Sequence, residues 1–191
     1  MTRSPVMRRI FGWMVVPMFL FTLSPCQGQE EPQQSFQLLE ATIPQIQVAL
    51  ASGTITSQDL VEMYLARIAA YDQQGPSLNA IIVVSPNALA EAKALDAERA
   101  NGPRGPLHGI PVIVKDNYET KDMQTAAGSL ALADWIPPHD AFLVNRLREA
   151  GAIILAKATL HEFAMGITTV GSLFGQTRNP YALDRNPGGS S

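Results

Sequence analysis

Cysteine is almost missing from this 191-residue sequence, since Cys26 is the single one. One thiol excludes an intramolecular disulfide and any cysteine-based metal cluster. Charge is also sparse: 16% of the residues are charged and the net charge is -3. With no stripe of basic residues, this balance argues against a nucleic-acid-binding surface. The 46% share of apolar residues is typical of a globular protein that can bury a core.

Several familiar catalytic motifs are absent as well. His161-Glu162 begins like a zinc-binding His-Glu-x-x-His motif, but the fifth residue is Met165. There is no Gly-x-Ser-x-Gly nucleophile elbow and no glycine-rich phosphate-binding loop. We therefore expect neither a metal nor an organic cofactor, and any serine-based chemistry has to use another arrangement.

The first residues have the order of an export signal. A positive start is supplied by Arg3, Arg8 and Arg9. The apolar stretch 10–23 follows and is too short for a comfortable membrane span. Small residues favour cleavage after Gly28, so the sequence predicts a secreted or periplasmic protein without a stable membrane span after cleavage. A lipid anchor at Cys26 is a less favoured alternative, and the arginine pair leaves Sec and twin-arginine export open.

The predicted organisation is a signal peptide at 1–28, a polar tether at 29–41 and an N-terminal, incomplete domain at 42–191. Within the domain, Thr56 and Asp59 have the spacing of a capping box, and apolar residues follow at helical spacing. We also expect Asp140 to cap a helix and Thr159 to begin a second capping box.

Three short apolar runs between the helical segments are predicted strands, at 80–84, 110–115 and 152–156. Strands that alternate with helices indicate an α/β fold with a largely parallel sheet.

Two lysines stand at the ends of these strands. Lys115 follows 110–114, and Lys157 follows 153–156. Functional side chains gather at the carboxyl ends of strands in open α/β sheets. Burial disfavours the charged ammonium form, so either lysine could supply a neutral amine that acts as a base. The residues alone do not separate the two lysines, and Lys115 could equally reach solvent or pair with Asp116.

A glycine-serine tetrapeptide, 188–191, ends the printed sequence. Paired glycines allow backbone angles that other residues resist, and so permit a tight turn that presents a serine. A lysine that reaches a serine can activate it without histidine. Taken alone, the tetrapeptide is also consistent with a plain surface loop.

Short motifs recur along the domain in a fixed order: 105–111 leading into 114–117, 125–129, 151–152 with Lys157, 162–166, 177–181 and 187–191. Together they resemble the amidase signature family of serine hydrolases, over about 42–191. The resemblance implies the amidase signature fold, with a central mixed, largely parallel sheet flanked by helices. It also implies hydrolysis of a carbon–nitrogen amide bond through a Ser-cisSer-Lys triad.

The resemblance assigns roles residue by residue. Lys115 matches the family's base, and Ser190 matches the middle serine, which follows a cis peptide bond. Lys157 is then structural. Positions near the substrate cleft are matched by Ser129, Met165 and Gly166, although Ser129 and Met165 are equally open to a packing role. The implied partner is a small-molecule or peptidyl amide substrate.

The resemblance further implies that the nucleophilic serine lies beyond Ser190, in a second Gly-Gly-Ser turn. We therefore expect the printed sequence to be inactive by itself, because loss of a nucleophile lowers the rate by about a millionfold. The alternative is an exported, non-catalytic amidase-like binding protein or subunit. The identity of the amide and the oligomeric state stay open.

Overall fold

The structure, a computed structural model, describes residues 1–2 and 36–191. The predicted signal peptide and the first part of the predicted tether lie outside these residues. The chain divides into two compact units, 1–33 and 34–191, and every element described below belongs to the second. No helix in the described part of the chain is both long and apolar enough to cross a bilayer.

Two capped helices begin the second unit. Helix α1 spans Ile43–Ser52 and ends at Gly53, whose φ of 73° is left-handed. Helix α2 spans Ser57–Tyr71. Its predicted capping box is confirmed, because the Asp59 amide donates to the Thr56 hydroxyl at 3.0 Å and the Thr56 amide donates to the Asp59 carboxylate at 2.9 Å. The amide of Thr56 also lowers the pKa of Asp59.

Two more helices follow, α3 at Ala88–Arg99 and α4 at Phe142–Glu149. The prediction that Asp140 caps α4 is wrong, since no side chain caps that helix. The Asp140 carboxylate accepts from the Lys121 amide at 3.0 Å and lies 3.3 Å from Arg148 Nε. A buried carboxylate is better compensated by a guanidinium than by the partial charge of a helix end.

The second predicted capping box, at Thr159, is also wrong. The chain there forms only a 3₁₀ turn at Glu162–Ala164, interrupted by a left-handed Phe163 with φ 53°. The Thr159 hydroxyl instead donates to the Ala80 carbonyl at 3.2 Å and accepts from the Thr177 hydroxyl at 2.8 Å. These partners are distant in sequence, so a local pattern does not reveal them.

Five strands complete the unit: β1 Ile81–Val84, β2 Pro111–Lys115, β3 Ile153–Ala158, β4 Val170–Gly171 and β5 Gly175–Gln176. The first three form a mixed sheet in the order β1-β3-β2, with β2 parallel and β1 antiparallel to β3. The last two form a separate antiparallel ribbon. The three predicted strands and the α/β fold class are confirmed.

The core lies on both faces of β3. On one face, Ile153 and Leu155 pack against apolar residues of α2 and α3. On the other face, Ile154 packs against Val114 of β2 and Val144 of α4. A central strand covered on both faces needs an apolar run rather than alternation, as this sequence provides. Because β2 and β3 are parallel, their carboxyl ends meet at one edge of the sheet.

Candidate active site

Lys115 and Ser190 meet at the carboxyl end of β2. The Nζ atom of Lys115 donates a hydrogen bond to the Oγ atom of Ser190. Both residues are half-buried. Within 36–191, no carboxylate forms an ion pair with Lys115. An amine that contacts a hydroxyl in this way can exchange a proton with it.

The turn that carries Ser190 needs both of its glycines. Gly188 has a φ of 99°, which is left-handed. A Cβ atom on Gly189 would lie 2.5 Å from the backbone carbon of Ile167. The peptide bond between Gly189 and Ser190 is cis. The close backbone approach therefore explains why this turn consists of small residues.

Two side-chain hydroxyls and one backbone amide hold the turn against neighbouring segments. The Thr169 hydroxyl donates to the Gly188 carbonyl at 2.7 Å, and the Ser191 hydroxyl donates to the Thr159 carbonyl at 2.8 Å. The amide of His161 donates to the carbonyl of Ser190. The position of Ser190 is thus set by the segment that follows β3.

Lys157 occupies a closed environment. Its side chain and that of Asp116 are fully buried, and Nζ lies 3.1 Å from Asp116 Oδ1. It also donates to Thr125 Oγ1 at 2.9 Å and to the Gln124 carbonyl at 3.1 Å. Burial lowers the pKa of Lys157, although the carboxylate opposes this change. Every donor direction of the amine is occupied, which suits a structural role.

Asp116 is the site residue that our sequence reasoning did not assign. Burial raises the pKa of Asp116, while the Lys157 cation acts in the opposite direction. Its Oδ2 atom accepts from the amides of Ala126 at 3.0 Å and Gly128 at 3.4 Å. Pairing of Asp116 with Lys115 was the alternative that the sequence left open, and the ion pair with Lys157 replaces it. The sequence signal that could have pointed to Asp116 is its position directly after Lys115.

The three predicted cleft residues have different surroundings. Ser129 is buried, and its hydroxyl accepts from the Ala131 amide at 3.4 Å in a 3₁₀ turn. Met165 is 84% exposed, so it makes no core contact in the described residues. The Gly166 carbonyl would lie 2.9 Å from a Cβ atom on Gly189, which puts Gly166 beside the Ser190 turn.

A cleft of about 460 Å³ runs along β2 and α4, and Lys115 lines it. Its other walls are mostly apolar and include Val112, Ile113, Tyr118, Leu143 and Leu147. Among residues 36–191, no group of three or more histidine, cysteine or carboxylate side chains could hold a metal ion.

Comparison with known proteins gives one family. The family described as Amidase matches residues 59–191. A Schizosaccharomyces pombe protein described as an amidase is 49% identical over 168 residues, which are 83% of this chain and 28% of that protein. A glutamyl-tRNA(Gln) amidotransferase subunit from Thermobifida fusca is 46% identical over 81% of this chain and 31% of that protein.

A solved structure gives the same result. The native peptide amidase from Stenotrophomonas maltophilia has a TM-score of 0.78 and 45% identity, over 83% of this chain and 33% of that chain. The chain thus spans about a third or less of the length of the relatives that it matches.

Proposed function

This chain belongs to the amidase family, and we propose that its protein hydrolyses a carbon–nitrogen amide bond through a Ser-cisSer-Lys triad. Lys115 is the base and Ser190 is the middle serine in this proposal. The observation that carries it is the hydrogen bond from Lys115 Nζ to Ser190 Oγ, between residues 75 apart in sequence. The nucleophilic serine would come from a segment outside the printed residues.

The reaction would begin with a proton relay. Neutral Lys115 takes the proton of the Ser190 hydroxyl, and Ser190 takes a proton from the attacking serine. The attacking oxygen adds to the amide carbonyl, and the carbon–nitrogen bond breaks. The proton held by Lys115 returns through Ser190 to the leaving nitrogen, and an acyl-enzyme remains. Water then releases the acid and regenerates the serine.

The proposed substrate is a small-molecule or peptidyl amide. Support comes from the likeness to a peptide amidase, at a TM-score of 0.78. Other relatives are named for amide transfer to glutamyl-tRNA. The net charge of -3 and the lack of a basic stripe in this sequence favour the hydrolase. The arginine-rich, apolar start of the sequence supports an exported protein.

The test compares Ser190 with a serine outside the site, in the full protein. Ser190→Ala removes the hydroxyl that contacts Lys115, and we expect the rate of ammonia release from a peptide amide to fall by about a thousandfold or more. Ser52→Ala is the control, because Ser52 is exposed at the end of α1 and its hydroxyl donates to the Ala49 carbonyl of the same helix at 3.0 Å. The proposal is wrong if Ser190→Ala stays fully active, or if the parent protein releases no ammonia from any amide tested.

A further inference from the structure

Asp116 contacts two separate segments through its carboxylate. Oδ1 lies 3.1 Å from Lys157 Nζ on β3. Oδ2 accepts the amides of Ala126 and Gly128. Its own amide donates to the Ala158 carbonyl at 3.1 Å, which extends the pairing of β2 with β3. The carboxylate therefore ties the end of β2, which carries Lys115, to the turn formed by 126–128.

The turn 126–128 is also hydrogen-bonded to the segment that positions Ser190. The Ala127 carbonyl accepts from the Phe163 amide at 2.9 Å, and the Gly128 carbonyl accepts from the Leu173 amide at 3.2 Å. Two residues before Phe163, the amide of His161 donates to the Ser190 carbonyl. Hydrogen bonds and short stretches of backbone thus connect Asp116 to the backbone of Ser190.

The backbone of the turn 126–128 is strained at Ala127, and the turn is held by the Ser129 amide on the Ala126 carbonyl at 2.9 Å, by the Ala127 amide on the Asp116 carbonyl at 3.0 Å and by the Asp116 carboxylate. Ala127 has a φ of 49° and Gly128 a φ of 75°, so two consecutive residues are left-handed. Such a conformation costs free energy for alanine and persists when surrounding contacts enforce it. The two amide bonds to Asp116 Oδ2 are contacts of that kind.

We propose that Asp116 is a positioning residue: through its Oδ2 acceptor and the turn 126–128, it sets the distance between Lys115 and Ser190. Lys157 compensates the charge of the carboxylate at Oδ1, and the turn 126–128, which is bound at Oδ2, connects it to the segment 161–163. The catalytic meaning of this role rests on the proposed function, but the geometric claim does not.

The test measures the contact itself, without a substrate. Acetic anhydride acylates free amines, and mass spectrometry of the peptides gives the ratio of labelling at Lys115 to labelling at Lys93. Lys93 is exposed on α3 and serves as the internal reference. A Lys115 amine that leaves Ser190 is labelled faster, so the ratio reports the distance that the proposal concerns. A failed hydrolysis assay would leave this measurement intact.

Two double variants separate charge from hydrogen bonding. Asp116→Asn with Lys157→Met removes both buried charges but keeps a carbonyl that accepts the two turn amides, and we expect the parent labelling ratio. Asp116→Ala with Lys157→Met removes that acceptor too, and we expect the ratio to rise about tenfold, as for loss of a hydrogen bond to a charged group.

A third variant controls for a general loss of stability. The Asp96 carboxylate accepts the amides of Ser57 and Gln58 at 2.7 Å and 3.0 Å, so it has the same hydrogen-bonding task far along the chain from the turn. We expect Asp96→Ala, which removes that acceptor, to leave the ratio unchanged. An equal ratio in the parent and in folded Asp116→Ala/Lys157→Met would overturn the proposal, and so would an equal rise in both double variants.

If the alanine variant does not fold, hydrogen exchange of the parent protein tests the proposed link between Asp116 and Ser190. The proposal expects the amides of Ala126, Gly128, Phe163 and His161 to exchange in one cooperative opening, with the same dependence on denaturant. A His161 amide that opens independently of Ala126 would overturn it.

Discussion

Lys115 is the last residue of β2 and Lys157 is the penultimate residue of the neighbouring parallel strand β3, yet their amines have different partners. Lys157 is fully buried and lies 3.1 Å from a carboxylate that is also fully buried. Lys115 is half-buried, lines a cleft and contacts a serine hydroxyl. Similar sequence positions therefore gave one lysine compensated by an opposite charge and one hydrogen-bonded to a neutral hydroxyl. The difference teaches that the partner, rather than the strand end, decides what a lysine can do.

The partners differ because of the residue that follows β2. Asp116 turns away from Lys115, and its carboxylate is taken up by Lys157 and by the turn 126–128. Lys115 is left with a neutral partner, Ser190. An ion pair with Asp116 would have stabilised the charged ammonium of Lys115, which is the wrong form for a base.

The largest expected effect separates the lysines by activity. Lys115→Met in the full protein removes the proposed base, and we expect ammonia release to fall by about a thousandfold or more. Its free energy of unfolding should change by about 1 kcal/mol or less, because only a hydrogen bond to a neutral hydroxyl is lost. Paired rate and urea-unfolding measurements check both values, with exposed Lys93→Met as the control. Unchanged activity in Lys115→Met would contradict the assignment of the base.

The next largest effect distinguishes Lys157 from Lys115 by its contribution to the stability of the fold. Lys157→Met leaves the buried Asp116 carboxylate without its cation, and we expect the free energy of unfolding to fall by about 3–5 kcal/mol. Urea unfolding of both lysine variants at neutral pH measures the contrast. Equal losses in Lys115→Met and Lys157→Met would mean that the two environments are energetically alike, against the burial and contacts described above.

A pH series sharpens the same contrast. Burial raises the pKa of Asp116 above 3.8, so the folded protein binds this proton more readily than the unfolded chain does. The resulting contribution to stability is present below the unfolded pKa and is lost as the pH rises through the folded pKa. Lys157 opposes that change in the parent protein.

In Lys157→Met the cation no longer opposes the effect of burial on the pKa of Asp116, and only the amides of Ala126 and Gly128 still do. We therefore expect this variant to lose more stability than the parent protein between about pH 4 and pH 7, by about 1.4 kcal/mol for each unit of pKa difference. Urea midpoints at the two pH values measure it. A variant that gains stability relative to the parent over this range would contradict the sign.

Local patterns in the sequence predicted the elements, but not the partners of buried charges. The capping box of Thr56 and Asp59 was predictable because both residues lie within one helical turn. Asp140 and Thr159 fitted the same kind of pattern. In the structure, however, the Asp140 carboxylate lies against Arg148 and the Thr159 hydroxyl donates to the Ala80 carbonyl. Such partners meet only after strands and helices pack, so a local motif does not reveal them.

The candidate site divides in the same way. The contact of Lys115 with Ser190 was implied by the resemblance to a family, since nothing local joins residues 75 apart. The pairing of Asp116 with Lys157 could not be derived from either residue. It depends on the parallel register that sets Val114 beside Lys157, and so brings the end of β2 to the end of β3.

The smallest expected effect tests whether the stability of the fold requires the positive charge of Lys157. Replacing both partners, as Asp116→Asn with Lys157→Met, leaves no buried charge without a partner. We expect its free energy of unfolding to lie within about 1 kcal/mol of the parent protein, although Lys157→Met alone is strongly destabilised. Urea unfolding of the single and double variants closes the cycle. A double variant as unstable as the single one would mean that the amine's bonds to Thr125 and Gln124, rather than charge compensation, hold this end of the sheet.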